Sequence, residues 1–322
     1  MAEQWSSDAR VALKSDGGKL EVWEGSGVFE ELGVVAGRTM LKRRGGGLVG
    51  IFISLDDRKT RESCFKVERG DVVAVPQGVA LWWYNGGDDE LEIMGVAHLA
   101  DNRHTKPFLV AGGKPDEQSR RGFGFGAVIH GFSSGVLSRA SEMDKSSVRD
   151  VLEGQSGVGF VKVDEDVTFP DATSAFDRNF IYRLREIHPD VRVQNGGEGI
   201  RELSSYKLPI LRTLGLGIEC VHLNKGAMVA PNWFHGSHQI LYVVHGRGRI
   251  EVVDPSGERV LDEELEQCSL VVVPAFYPST KIASSEESFH YITFVISHRR
   301  MISYLSGRNP VYRGMDRLQL NN

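Results

Sequence analysis

Short apolar runs, each cut off by glycine, proline, aspartate or asparagine, recur along the chain in two batches. The first includes Gly33–Leu41, Leu48–Ser54, Asp71–Val75, Leu81–Tyr84 and Leu91–Ala97. The second includes Phe180–Leu184, Ile218–Leu223, Gln239–Val244, Arg249–Val253, Ser269–Val273 and Phe289–Ile296. Rich in β-branched or aromatic side chains and bounded by turn formers, these runs read as strands. Between the batches, Met143, Val148, Val151 and Leu152 form a partial helical stripe over Ser141–Glu153, and Gly154 offers a stop. The pattern predicts one helix there, packed against its own barrel, in an otherwise all-β chain.

The two batches repeat each other. Gly50-Ile51-Phe52-Ile53-Ser54-Leu55-Asp56 reads like Gly248-Arg249-Ile250-Glu251-Val252-Val253-Asp254, and Gly70 through Pro76 reads like Cys268 through Pro274, both at an offset of 198 residues. Two separated matches at one offset indicate an internal duplication. Upstream, Leu32-Gly33-Val34-Val35 matches Leu214-Gly215-Leu216-Gly217 at an offset of 182. The first copy is therefore 16 residues shorter just before Leu48, where Lys42-Arg43-Arg44-Gly45-Gly46-Gly47 stands instead. That is about the length of one strand and its turn. Unpaired edges follow from a lost strand, so the first unit is expected to be open or covered by another segment. The implied division is an abbreviated first unit over residues 1–160, a linker with entry strands over 161–200, and a second unit over 201–322.

The segment Gly70-x5-Pro76-x-Gly78-x2-Leu81-x3-Asn85 has a mechanical reading: a strand ends, Pro76 and Gly78 set a tight turn, and the chain re-enters the sheet with residue 81 pointing into the barrel. It resembles the second characteristic motif of the cupin superfamily, G-x5-P-x-G-x2-H-x3-N, at every position except the histidine, which is Leu81. The second unit resembles a degenerate first motif, G-x5-H-x-H-x3–4-E-x6-G. From Gly226, the histidine places hold Asn232 and Phe234, the glutamate place holds Gln239, and Gly246 closes the pattern. Ser279 stands where the last histidine belongs. The resemblance implies two tandem jelly-roll (double-stranded β-helix) barrels with a small helical segment between them. It also implies that the metal ligands are replaced, with no metal, no cofactor and no catalytic residue. An apolar pocket lined by Phe234, Gln239, Tyr242 and Phe276 is the candidate place for a ligand.

A second resemblance narrows the group. Leu208-Pro209-Ile210-Leu211, Met228-Val229-Ala230-Pro231-Asn232-Trp233, Leu241-Tyr242-Val243-Val244-His245-Gly246-Arg247-Gly248-Arg249 and Gly307-Arg308-Asn309 are similar to the C-terminal half of legumin-type (11S) seed storage globulins. Trp82-Trp83-Tyr84-Asn85 resembles the short uncleaved legumin-like plant cupins. This likeness implies a non-enzymatic protein with nutrient-reservoir activity that self-associates, a trimer being one form. Two departures stand out. Asn195-Gly196-Gly197-Glu198-Gly199 is a remnant of the family's processing site without its cysteine, and no trimer-locking helices follow Asp316-Arg317-Leu318. The alternatives are a small-molecule-binding cupin module and a metal-dependent cupin enzyme with unusual ligands.

Composition trims this picture. A length of 322 residues suits two domains. The 37 glycines exceed the usual share of about 7% and fit many tight turns. Net charge is −5 with only short basic clusters, which argues against a nucleic-acid partner. No apolar run reaches the length of a membrane span. The start, Met1-Ala2-Glu3-Gln4, has no signal-like character, and Cys64, Cys220 and Cys268 form no disulfide framework. A cytoplasmic location is expected, a storage vacuole only if the N-terminus is incomplete. Four histidines cluster at His222, His235, His238 and His245; they read as polar turn residues, with a relocated metal site as the sharper alternative. Arg120–Gly126 reads as a glycine-rich loop and Asp262–Glu266 as an acidic surface turn. Core packing is the expected role of Trp82 and Trp83, sugar stacking the alternative.

Overall fold

The structure is a computed structural model and describes residues 9–23, 29, 32–43, 48–54, 60–76, 79–98, 127–154, 159–160, 162–163, 179–191, 199–307 and 310–311. The Arg120–Gly126 loop, Gly78, the Asn195–Glu198 remnant and the Asp316–Leu318 segment lie outside the described residues. Among the described residues the first unit contains β1 (Arg10–Ser15), β2 (Gly18–Trp23), β3 (Val34–Leu41), β4 (Leu48–Ser54), β5 (Thr60–Lys66), β6 (Asp71–Val73), β7 (Ala80–Tyr84) and β8 (Leu91–His98). Helices α1 (Ser134–Ser141) and α2 (Lys145–Glu153) follow. Then come β9 (Ile181–Arg183), β10 (Gly199–Leu203), a short α3 (Leu211–Leu214), β11 (Gly217–Leu223), β12 (Met228–Phe234), β13 (Gln239–Gly246) and β14 (Gly248–Val253). The last described elements are β15 (Arg259–Leu265), β16 (Leu270–Val273), β17 (Ser279–Ala283), β18 (Phe289–Val295) and β19 (Ile302–Tyr304).

Two five-stranded sheets, in the orders β10-β11-β18-β13-β16 and β15-β14-β17-β12-β19, make the second unit. Alternation along each strand sends one set of side chains between the sheets. Val221, Leu223, Leu241, Val243, Val271 and Phe289 from one sheet meet Val229, Ile250, Val252, Leu261, Leu265 and Ala283 from the other. Each such burial contributes about 1.5–3 kcal/mol for the larger side chains. Gly246, the closing glycine of the motif, has φ +81, and a Cβ there would fall 1.7 Å from the Ser288 carbonyl oxygen. Only glycine makes that approach.

The opposite face of the first of these sheets is buried too. Ile240, Tyr242, Leu270, Val272 and Phe294 pack against Trp23, Phe29, Val34 and Ala36 of the first unit. A polar link crosses this seam: Arg38 Nη1 donates to the Tyr242 hydroxyl at 3.2 Å, and that hydroxyl donates to Glu92. Arg38 Nε also donates to Glu21 at 2.8 Å. Burial alone would raise the Glu21 pKa, but hydrogen bonds from Lys19 and Arg38 hold it below the usual carboxylate range.

The first unit repeats the second strand for strand, with β2 to β8 standing for β10, β11, β14, β15, β16, β17 and β18. Among the described residues no counterpart of β12 and β13 occurs. The difference is thus two strands rather than the one expected from the offsets. Strand polarity gives the reason, since losing a single strand would reverse the direction of every later one, whereas losing an antiparallel pair preserves it. The freed pairing edge of β6 is taken by β9, with Asp71, Val72 and Val73 opposite Arg183, Tyr182 and Ile181. A strand of the 161–200 linker therefore completes the first unit. On the other sheet, among the described strands, β7 pairs only with β4 and so forms an edge.

Two further expectations change. The predicted single helix is a pair, α1 and α2, broken at Glu142 with φ 56. Asp144, read as a polar position within one helix, instead caps α2 by accepting from Ser147 N at 2.9 Å. Val148 is buried, but Met143 and Val151 of the stripe are exposed, as is Val136 of α1. The acidic run is not a turn: Asp262 through Leu265 lie in β15, where Asp262 accepts from Arg249 Nε and Nη2, both at 2.6 Å.

Candidate functional site

The hydrogen bond that closes the turn of the cupin-like motif is made in both units. Val79 N–H donates to the Pro76 carbonyl at 3.3 Å, and Tyr277 N–H donates to the Pro274 carbonyl at 3.3 Å. Its last residue, Asn85, is buried and donates through Nδ2 to the carbonyls of Leu41, Lys42 and Asp89 at 2.9, 3.1 and 2.7 Å. The asparagine thus clamps the end of β3 to the turn before β8, a role independent of any ligand.

In the second unit the four replaced positions converge. A register shift in β12 between Val229 and Asn232, at Pro231, leaves Asn232 and Phe234 buried. Asn232 lies opposite Ser279 at the start of β17, and Gln239 opens β13 across the barrel. All four are at most 2% exposed. Lys281, which shares its face of β17 with Ser279, joins them. Its Nζ donates to Ser279 Oγ at 2.8 Å and to Gln239 Oε1 at 3.2 Å. Complete burial pushes the Lys281 pKa down to about 8, against a smaller raising effect from the Glu219 carboxylate. Glu219, also buried, accepts from Arg300 Nε, and Arg300 Nη2 donates to the Tyr304 hydroxyl at 3.3 Å. The Arg300 guanidinium sits 5.9 Å from the Phe234 ring centroid.

The chemistry of this interior is clear from its charges. An ammonium hydrogen-bonds to two of the four positions where a metal would be held, and a third is a phenyl ring. Amide and hydroxyl groups are weak metal ligands beside imidazole and carboxylate, and a neighbouring lysine cation repels an ion further. Two polar atoms stay without a partner, Asn232 Oδ1 and Gln239 Nε2.

Other predicted site residues lie elsewhere. Leu81 does not sit inside a closed barrel. It is 37% exposed on the edge strand β7, because the strand that covers Ser279 in the second unit has no counterpart beside it. Tyr242 is three residues after Gln239, and odd spacing puts it on the opposite face of β13, in the seam between units. Phe276 is 60% exposed on the loop after β16 with φ 68. Of the proposed lining, Phe234 and Gln239 are buried within the second unit. His235 and His238 do not converge: His235 Nε2 meets Ser303 Oγ at 2.7 Å, and His238 Nδ1 accepts from Ala275 N at 3.1 Å. Trp83 packs against Phe65, Phe180 and Ile181. Sequence reasoning missed Lys281, Glu219 and Arg300; the signal available for Lys281 was its period-two spacing from the motif position Ser279.

With this geometry in place, comparison with known proteins adds identity. The family described as Cupin matches residues 41–127 and 182–322. The chain belongs to the cupin family. Within that family it is a legumin-type bicupin. It is 28% identical to the 12S seed storage protein CRB of Arabidopsis thaliana, over 98% of this chain and 86% of that protein. It is 30% identical to Cocosin 1 of Cocos nucifera, over 80% of this chain and 61% of that protein. Among solved structures, procruciferin, an 11S globulin from Brassica napus, superposes with a TM-score of 0.85 at 27% identity, covering 97% of this chain and 88% of that one. Coconut allergen cocosin gives 0.83 at 26% identity, covering 98% and 90%.

Proposed function

We propose that this chain is a non-enzymatic nutrient-reservoir protein of the legumin type. One observation carries the reading: the barrel interior keeps its turns, while its four ligand positions hold Asn232, Phe234, Gln239 and Ser279, with the Lys281 ammonium bonded to two of them. The name of the similar 12S seed storage protein CRB supports it. Quantitative mass spectrometry through seed development and germination tests it. Accumulation to a major share of seed protein followed by rapid loss is expected; low, constant abundance would sink the reading.

A small-molecule-binding role is the second reading, favoured by the orphaned Asn232 Oδ1 and Gln239 Nε2. A thermal-shift screen of small polar compounds tests it, because a ligand bound only by the folded state raises the midpoint. We further propose that the chain self-associates, as a trimer in the finer form, through the helical pair whose Val136 and Val151 are exposed. Light scattering of the purified chain checks the mass. Three cysteines outside any disulfide support a reducing, cytoplasmic location.

A further inference from the structure

Inside the second barrel, unspent hydrogen-bond donors outnumber unspent acceptors. An ammonium carries three donors. Among the described residues the Lys281 ammonium uses two of them, towards Ser279 Oγ at 2.8 Å and Gln239 Oε1 at 3.2 Å. Ser279 Oγ accepts in that contact, so its own proton is left to donate. The Gln239 amide is engaged through its oxygen, and its Nε2 has no partner. The acceptor set against these donors is Asn232 Oδ1, orphaned because the other end of that amide is turned to the Ala230 carbonyl at 2.8 Å. All four side chains belong to residues at most 7% exposed, and a buried polar group without a partner is costly.

The charges point the same way. Glu219 of β11 acts on Lys281 through space, but its carboxylate accepts from Arg300 Nε, which also lies 4.0 Å from Glu202. The other titratable groups around this interior are Tyr304 of β19 and Tyr291 of β18, whose phenol burial and the Glu219 carboxylate hold well above its ordinary value. Among the described residues no carboxylate hydrogen-bonds to Lys281. A buried cation touching only neutral oxygens lacks its counter-charge, and a nutrient store has no need of one.

We propose that this interior binds a small carboxylate that also carries a hydroxyl or amine: Lys281, Ser279 and Gln239 hold the carboxylate, and Asn232 accepts from the second group. The proposal rests on the small-molecule reading and names the ligand class for it. Charge-assisted hydrogen bonds to a carboxylate are the strong ones. The strand beside Asn232 is β19, which is three residues long and stands at the sheet edge. Such a strand is the cheapest element to part from β12 and admit a molecule.

Calorimetric titration of the full-length protein with glycolate, acetate and glycolamide tests this. Glycolate has both parts, acetate lacks the hydroxyl and glycolamide lacks the charge. The expected result is one equivalent of glycolate bound, acetate weaker by about tenfold, and no measurable binding of glycolamide. Raising the pH from 7 to 9.5 should weaken glycolate binding by about tenfold or more, because the Lys281 pKa, lowered to about 8, lies within that range. Lys281→Met abolishes binding, as does Gln239→Glu, which supplies a carboxylate from the chain itself; Lys225→Met, on the exposed turn before β12, keeps it. Circular dichroism checks that each variant folds, and the pH dependence of the unmutated chain decides where one does not. Glycolamide bound as tightly as glycolate, or glycolate binding unchanged by Lys281→Met or by pH 9.5, overturns the anion proposal and leaves the small-molecule reading standing. If none of the three probes binds, the proposal falls, and the wider reading falls with it only if the thermal-shift screen also finds no ligand.

Discussion

The two units part company at the β12–β13 hairpin, present in the second and without counterpart among the described residues of the first. Where the hairpin exists, Ser279 and its neighbours are sealed between two sheets. Where it does not, the equivalent Leu81 lies on an edge, and β6 takes its partner from the linker strand β9. The hydrogen bond back to Pro76 in one unit and to Pro274 in the other is nevertheless made in both. Local turn chemistry thus survives without closure of the barrel, and the ligand positions depend on the hairpin that carries them.

Exchanging side chains between equivalent places sharpens this contrast. Ser279→Leu forces a large side chain into a sealed interior and removes a partner of Lys281, and is expected to cost about 4 kcal/mol in denaturant unfolding. Lys281→Met separates charge from packing. Because the folded pKa of Lys281 is lowered to about 8 from 10.5, its ammonium is a stability penalty that is fully present below pH 8 and fades as pH rises towards 10.5. The wild type should gain on the order of 3 kcal/mol relative to the variant between pH 7 and 10.5, read from paired unfolding curves; a pH-independent difference would refute the buried charge. Tyr242→Phe leaves Arg38 and Glu92 without their shared hydroxyl and should cost about 1–3 kcal/mol, with calorimetry showing the units melting less cooperatively. Cys268 sits in the turn place of Gly70 with φ 72 against Gly70's 88. Relief of that strain in Cys268→Gly should stabilise by about 1 kcal/mol. Leu81→Ser, the mirror of the first exchange, should change stability by about 0.5 kcal/mol or less; a large loss would mean that the first barrel is closed.

The duplication was legible because its offset survives in glycine, proline and β-branched positions. Strands such as β11, β13, β14 and β18 were legible for the same reason. β12 was hidden because Pro231 and Asn232 interrupt its apolar run, and β15 by its acids, which an edge strand facing solvent tolerates. The converging Asn232, Phe234, Gln239 and Ser279 followed from motif spacing. Tyr242 was misplaced although its odd distance from Gln239 carried the correction. Cys220 and His290 meet only through strand pairing 70 residues apart, a separation that no local pattern encodes.

The pairing of β6 with β9 has a consequence for how the chain is made. During synthesis β6 emerges from the ribosome long before Ile181–Arg183, and Trp23, Val34 and Ala36 wait longer still for Ile240 and Phe294. A nascent chain halted at residue 160 would carry an open edge and an uncovered apolar face, both invitations to aggregate. The first-made half of this molecule is therefore the last to become self-sufficient, and its yield in a cell should depend on chaperones that hold it until translation ends.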